Sequence, residues 1–212
     1  IVPDVVTAGS SHVVLRVPNH PLTLELLNCI NFPLAAPSAN ISNTVSPTSA
    51  NHVNQGIGDK IDYILDGGNC KIGIESTIVS IENGKVQILR EGGISREDIT
   101  HQTGLEILQS TQKTIQTPGQ LKKHYATKKP LYIVDSITEY LKNNSTQTCS
   151  ILFYEKQQDY PSKNSYFLSD DYNLSEIANQ LFSVMRLADE DSTECIIIEP
   201  IKLDGIGRAI DD

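Results

Sequence analysis

From Leu131 onward, short apolar runs alternate with helix-forming segments, and this alternation limits the fold more than any other feature of the chain. Leu131 to Val134, Cys149 to Tyr154, Ser165 to Leu168 and Cys195 to Glu199 read as strands; Ser136 to Lys142, Leu174 to Leu187 and the stretch from Ile206 read as helices. Such a sequence of elements builds a small α/β domain. It carries no GxGxxG fingerprint, and Gly205-Ile206-Gly207 reads as a helix start, so residues 131–212 are assigned no dinucleotide.

The first 110 residues are patterned differently. Val13 to Val17, Pro33 to Ala36 and Ile61 to Leu65 read as strands, the last stopped by Asp66-Gly67-Gly68. Pro21 to Ile30 reads as a helix with Leu22, Leu26, Leu27 and Ile30 on one face, and Thr48 to Ile57 as another with Pro47 near its start. Thr77 to Ile81 and Val86 to Leu89 alternate around Asn83-Gly84, a strong hairpin signal. Ser95 caps a short helix reaching Thr100, with acids in its first turn.

Three stretches gather the side chains that could bind a ligand. Leu34-Ala35-Ala36-Pro37-Ser38-Ala39-Asn40, followed by Ser46-Pro47-Thr48, places short hydroxyl and amide groups where Pro forbids helix, so backbone N–H groups can approach a ligand closely. Gly73-Ile74-Glu75-Ser76-Thr77 leads into one strand, and Val86 to Leu89 ends another in Arg90-Glu91-Gly92-Gly93. By residue type alone, each of these side chains also serves as an ordinary turn cap or surface group.

In order and spacing, PSAN, SPT, IEST and ILREGG together resemble the YrdC-like domain of threonylcarbamoyl-AMP synthases. TPGQLKKHYA at Thr117 to Ala126 resembles the linker of the two-domain members, and VVLRVPNHP at Val13 to Pro21 and the closing GIGRAIDD also fit. The resemblance implies an incomplete YrdC-like twisted mixed sheet with helices over 1–110, a linker over 111–130 and a Rossmann-like domain over 131–212. His12 stands where the family often has Thr, as does Ala36 nearby, and Gln120 replaces the usual Met after Pro-Gly.

The implied reaction joins L-threonine, bicarbonate and ATP into threonylcarbamoyl-adenylate and diphosphate, a precursor for tRNA modification, with magnesium brought by the nucleotide and tRNA involved only indirectly. It requires no enzyme nucleophile, and the sequence offers no Ser-His-Asp arrangement, GxSxG elbow or metal cluster. Carried over residue by residue, the resemblance assigns Arg16, Ala36 and Ser76 to threonine. It assigns Ser38, Asn40, Ser46, Arg90 and Tyr125 to the nucleotide. In the family a preceding segment supplies further strands and a Lys-x-Arg motif with no counterpart here, so the expectation is either that a separate N-terminal segment completes the site or that this is a fragment without activity on its own.

Charge adds one expectation and weakens a rival. The chain is net −9, yet residues 111–130 carry Lys113, Lys122, Lys123, Lys128 and Lys129 and no acid. That basic strap suits a solvated connection, and equally a cover folded over a polyanion. A non-catalytic nucleic-acid module is disfavoured by the overall acidity and by 6% aromatic content. A carbamoyl-transfer domain is the other alternative. The four cysteines show no CxxC spacing, and no apolar run approaches the roughly 18 to 20 residues that span a bilayer, so a cytoplasmic protein with reduced thiols is expected.

Overall fold

The computed structural model describes residues 2–7, 9–108, 125–157, 160 and 163–212. Most of the strap, including Lys113, Gln120, Lys122, Lys123 and His124, lies outside the described residues. The protein is mixed α/β, with two sheets among the described residues.

The first sheet has three strands in the order β1 (Ile78–Glu82), β2 (Lys85–Arg90), β3 (Ile107–Leu108). β1 and β2 pair antiparallel through the Asn83-Gly84 turn, where both residues take positive φ (51° and 74°), and β3 joins β2 in parallel. Among the described residues three α-helices, α1 (Asp4–Thr7), α2 (Pro21–Asn28) and α3 (Ala50–Ile57), and a 3-10 turn at Gly58–Lys60 precede this sheet. Ser49 caps α3 by accepting from the His52 N–H at 3.3 Å. α4 (Arg96–Thr103) begins with a full capping box between Ser95 and Asp98, which places hydrogen bonds on two otherwise orphaned donors.

The second sheet is all parallel, ordered β4 (Leu131–Ile133), β7 (Cys195–Ile198), β5 (Cys149–Phe153), β6 (Ser165–Phe167). Here every element follows the sequence expectation within a few residues, with α5 (Ile137–Asn143), α6 (Leu174–Glu190) and α7 (Gly207–Asp211) between or after the strands. β5 and β7 are buried along their whole length, as continuous apolar runs in a sheet covered on both faces must be. α6 lays Ile177, Ala178, Leu181, Phe182, Val184, Met185 and Ala188 into the core. Each fully buried large side chain there, such as Ile177, Ile196 or Leu152, contributes about 1.5–3 kcal/mol.

Three expected strands do not form. Residues 13–17, 33–36 and 61–65 belong to no ladder, and several of their apolar side chains are exposed, Leu15 at 82%, Val17 at 91% and Tyr63 at 93%. The cause is that a strand is only as stable as its neighbour: a backbone row with no partner hydrogen bonds to water instead. No helix among the described residues is long and apolar enough to cross a membrane.

Candidate functional site

The hairpin and the loops before it converge on Arg90. β2 carries this residue at its end, 9% exposed, and turns its guanidinium back toward the start of β1. Arg90 Nε and Nη2 donate to the Ser76 carbonyl at 3.0 and 2.9 Å, and Nη2 also reaches Ser76 Oγ at 3.1 Å. Glu75 stands 3.6 Å from the same Nη2 and accepts a hydrogen bond from Ser46 Oγ at 2.7 Å. Three chain segments therefore meet at one carboxylate and one guanidinium.

Close backbone approach makes this possible. Gly93 N–H donates to the Glu75 carbonyl at 2.9 Å, and the Gly92 backbone runs so near that a β-carbon there would sit 2.3 Å from Thr77 N and 2.5 Å from the Glu75 carbonyl oxygen. No other residue fits without displacing the backbone that bears Glu75 and Ser76. Thr77 Oγ1 closes the loop by donating to the Ile94 carbonyl at 2.6 Å and accepting from Ile94 N–H at 3.0 Å.

Tyr125 reaches the site from the far end of the strap. It takes a left-handed φ of 57°, costly for a bulky side chain, and its ring packs on Phe182 of α6 with centroids 5.1 Å apart. Burial, and then the Glu75 carboxylate, push its hydroxyl up to about 12, while Arg90 pulls the other way. The phenol is neutral at physiological pH. Next to it, Ala126 N–H donates to the Asn43 carbonyl at 3.0 Å, tying this segment to the loop before Ser46.

The remaining candidates are placed differently. Asn40 spends its amide N–H groups on the Ile41 and Thr44 carbonyls at 3.0 and 2.9 Å, so here it shapes its own loop, while its Oδ1 is buried without a hydrogen-bond partner among the described residues. Arg16, Ala36 and Ser38 are exposed on segments outside any ladder, and Arg16 and Ser38 make no side-chain hydrogen bond among the described residues. The structure thus brings Ser46, Ser76, Arg90 and Tyr125 together, and no hydrogen bond among the described residues links Arg16, Ala36 or Ser38 to them. Glu75, at the centre of the cluster, was part of a recognised motif but received no role from sequence. Among the described residues no three His, Cys, Asp or Glu side chains gather as metal ligands.

A forked cation held by a carboxylate and ringed by small hydroxyls can orient an anionic ligand by hydrogen bonding, and it sits on an α/β scaffold of two sheets. Two family models match this scaffold: one described as telomere recombination over residues 1–92, and the threonylcarbamoyl-AMP synthase C-terminal domain over residues 94–212. The chain belongs to the threonylcarbamoyl-AMP synthase family. It is 31% identical to the threonylcarbamoyl-AMP synthase of Pyrococcus abyssi over 99% of this chain and 65% of that protein. Its identity to the Bacillus subtilis synthase is 33%, over 97% of this chain and 62% of that protein. A crystal structure of P. abyssi Sua5 complexed with L-threonine superposes with a TM-score of 0.82 at 30% identity, covering 99% of this chain and 64% of that one. The chain thus spans a little under two thirds of the length of these relatives.

Proposed function

We propose that this chain forms part of an L-threonylcarbamoyladenylate synthase, which converts L-threonine, bicarbonate and ATP into threonylcarbamoyl-AMP and diphosphate for tRNA modification. The observation that carries the reading is the convergence of Ser46, Glu75, Ser76 and Arg90 in a chain of this family. A related protein crystallised with L-threonine supports the amino acid as substrate.

In this reading the threonine amine attacks bicarbonate, losing water to give a carbamate, and a carbamate oxygen then attacks the α-phosphate and expels diphosphate. The protein's task is to hold the reactants in line and stabilise developing charge. Arg90 and Ser46 face the nucleotide phosphates, with Ser38 and Asn40 contributing from their loop once it closes on ligand. Ser76, with Arg16 and the small Ala36 position, receives threonine. Magnesium comes with the nucleotide, a cytoplasmic setting fits four free cysteines, and tRNA receives the product downstream without needing to touch this chain.

Residues 111–130 act as a basic strap that closes over the triphosphate, and the exposed apolar segments 13–17, 33–36 and 61–65 pair with a further polypeptide segment that completes the sheet. Isothermal titration is the test, with the chain alone and with the preceding segment of a relative supplied in trans. Binding of L-threonine together with ATP is expected. Binding of carbamoyl phosphate instead, or of RNA alone, overturns the reading, as does a strap deletion that leaves ATP affinity and its salt dependence unchanged.

A further inference from the structure

One stripe of α6 touches the loop at Val45-Ser46, the segment leading to Glu75 and the end of the strap at Tyr125. The residues Asn179, Phe182, Arg186 and Asp189 are spaced three and four apart, so they share a face of the helix. Asn179 Nδ2 donates to the Cys70 and Lys71 carbonyls, both at 2.8 Å, and one residue earlier the Ala178 carbonyl accepts from Gly73 N–H at 3.0 Å. A β-carbon on Gly73 would lie 2.2 Å from the Asn179 carbonyl oxygen, so the segment leading to Glu75 is seated directly on the helix backbone. Phe182 supports the Tyr125 ring. Asp189 takes the N–H groups of Lys128 and Lys129 at 2.9 and 2.8 Å on its two carboxylate oxygens.

Arg186 is the member nearest the chemistry. Its Nη2 donates to the Val45 carbonyl and its Nε lies 3.5 Å from the Ser46 carbonyl, while the Val45 side chain, 4% exposed, packs into the same core as α6. Burial lowers the Arg186 pKa, yet guanidinium groups start so high that it stays charged. A cation placed on two successive carbonyls holds the peptide planes on both sides of Ser46. Those planes set the direction of Ser46 Oγ, which in turn sets Glu75 and Arg90.

We infer that α6 is a jig for the site and that Arg186 is its positioning residue, acting on ligand through Ser46 without touching it. The C-terminal domain then contributes geometry to the reaction. The role of Ser46 rests on the function proposed above; the hold on the loop does not.

The experiment compares Arg186→Met, Arg186→Lys, Ser46→Ala and the double variant Ser46→Ala/Arg186→Met, reading amide exchange over residues 44–48 and ATP affinity by titration. In Arg186→Met, exchange over 44–48 should rise and ATP affinity fall about tenfold, and the double variant should bind within about twofold of Arg186→Met alone, the signature of coupled sites. Arg186→Lys, which keeps charge without the fork, should fall between. Unchanged exchange over 44–48 in Arg186→Met overturns the inference, as do additive losses in the double variant. Faster exchange in Arg186→Met, with a wild-type chain and complex that bind no ATP, upholds the jig and overturns the proposed function. A circular dichroism melt of each variant shows whether the α6 domain is intact; Arg186→Lys provides the comparison should Arg186→Met fail to fold.

Discussion

Arg90 grips the Ser76 carbonyl with two nitrogens at once, Nε at 3.0 Å and Nη2 at 2.9 Å. A forked donor is required, since an ammonium is a point charge without that planar geometry. Arg90→Lys should therefore lower the melting temperature of the chain even though charge is conserved. Arg90→Ala should weaken ATP binding about tenfold or more, because hydrogen bonds to a charged group are worth about 1.5–3 kcal/mol. Titration calorimetry of both variants is the check, and ATP affinity unchanged in Arg90→Ala would remove Arg90 from the nucleotide site.

Glu75 should separate shape from charge. Glu75→Gln retains an oxygen for Ser46 and removes a negative charge from a site proposed to hold phosphates, so ATP affinity should be maintained or improved. Glu75→Ala leaves the Ser46 hydroxyl and part of Arg90 without their acceptor, a loss of about 1 kcal/mol or roughly fivefold in affinity. Equal effects of the two substitutions on titrated affinity would contradict this division.

Gly92→Ala should be among the most damaging single-carbon changes, because the atoms in its way are backbone and cannot rotate aside. A fall of about 1–3 kcal/mol in denaturant-derived stability is expected. Threonine binding should be lost with it. Wild-type stability in this variant would mean that the Glu75–Thr77 backbone is less closely packed than described.

Asp191 should govern acid stability of the second domain. Burial disfavours its charge, but hydrogen bonds from Lys129, Ser150 and Thr193 outweigh that and hold its carboxyl well below the usual range. A depressed carboxylate stabilises above its ordinary pKa, near 4, and the contribution fades as pH falls below that value. Melting temperature should thus drop more steeply below about pH 4 in the wild type than in Asp191→Asn. At neutral pH Asp191→Asn should itself cost about 1.5–3 kcal/mol, since the half-buried Lys129 Nζ, 2.6 Å away, loses its charged partner.

Tyr125→Phe should keep the packing on Phe182, whereas Tyr125→Ala should lose about 0.5–1.5 kcal/mol of ring contact beyond area burial. Because the phenol is pushed up to about 12, the pH dependence of ligand binding between pH 7 and 10 should be the same in wild type and Tyr125→Phe. An alkaline limb that vanishes with the hydroxyl would contradict that.

The second sheet and its helices were legible because their signals are local: the helix opening at Ser136, the apolar stripe of α6 and the continuous run of β7 each lie within one element. The hairpin was legible for the same reason, through Asn83-Gly84. Residues 13–17, 33–36 and 61–65 read as strands but lack ladders, since pairing is a property of two segments and local pattern reports on one. In the candidate site, the motifs single out Ser46, Ser76 and Arg90. Glu75 lay inside one of those motifs without a role, and Arg186 had no local signal beyond being a single basic residue in an otherwise apolar stretch of α6.

The order β4-β7-β5-β6 has a consequence for biosynthesis. β7 separates β4 from β5, yet it is the last of the four to leave the ribosome. Until Cys195–Ile198 has been translated, Leu131–Ile133 has no strand to dock against and the buried run of β5 keeps an open flank, so nascent chains halted before that point should be avid clients for chaperones.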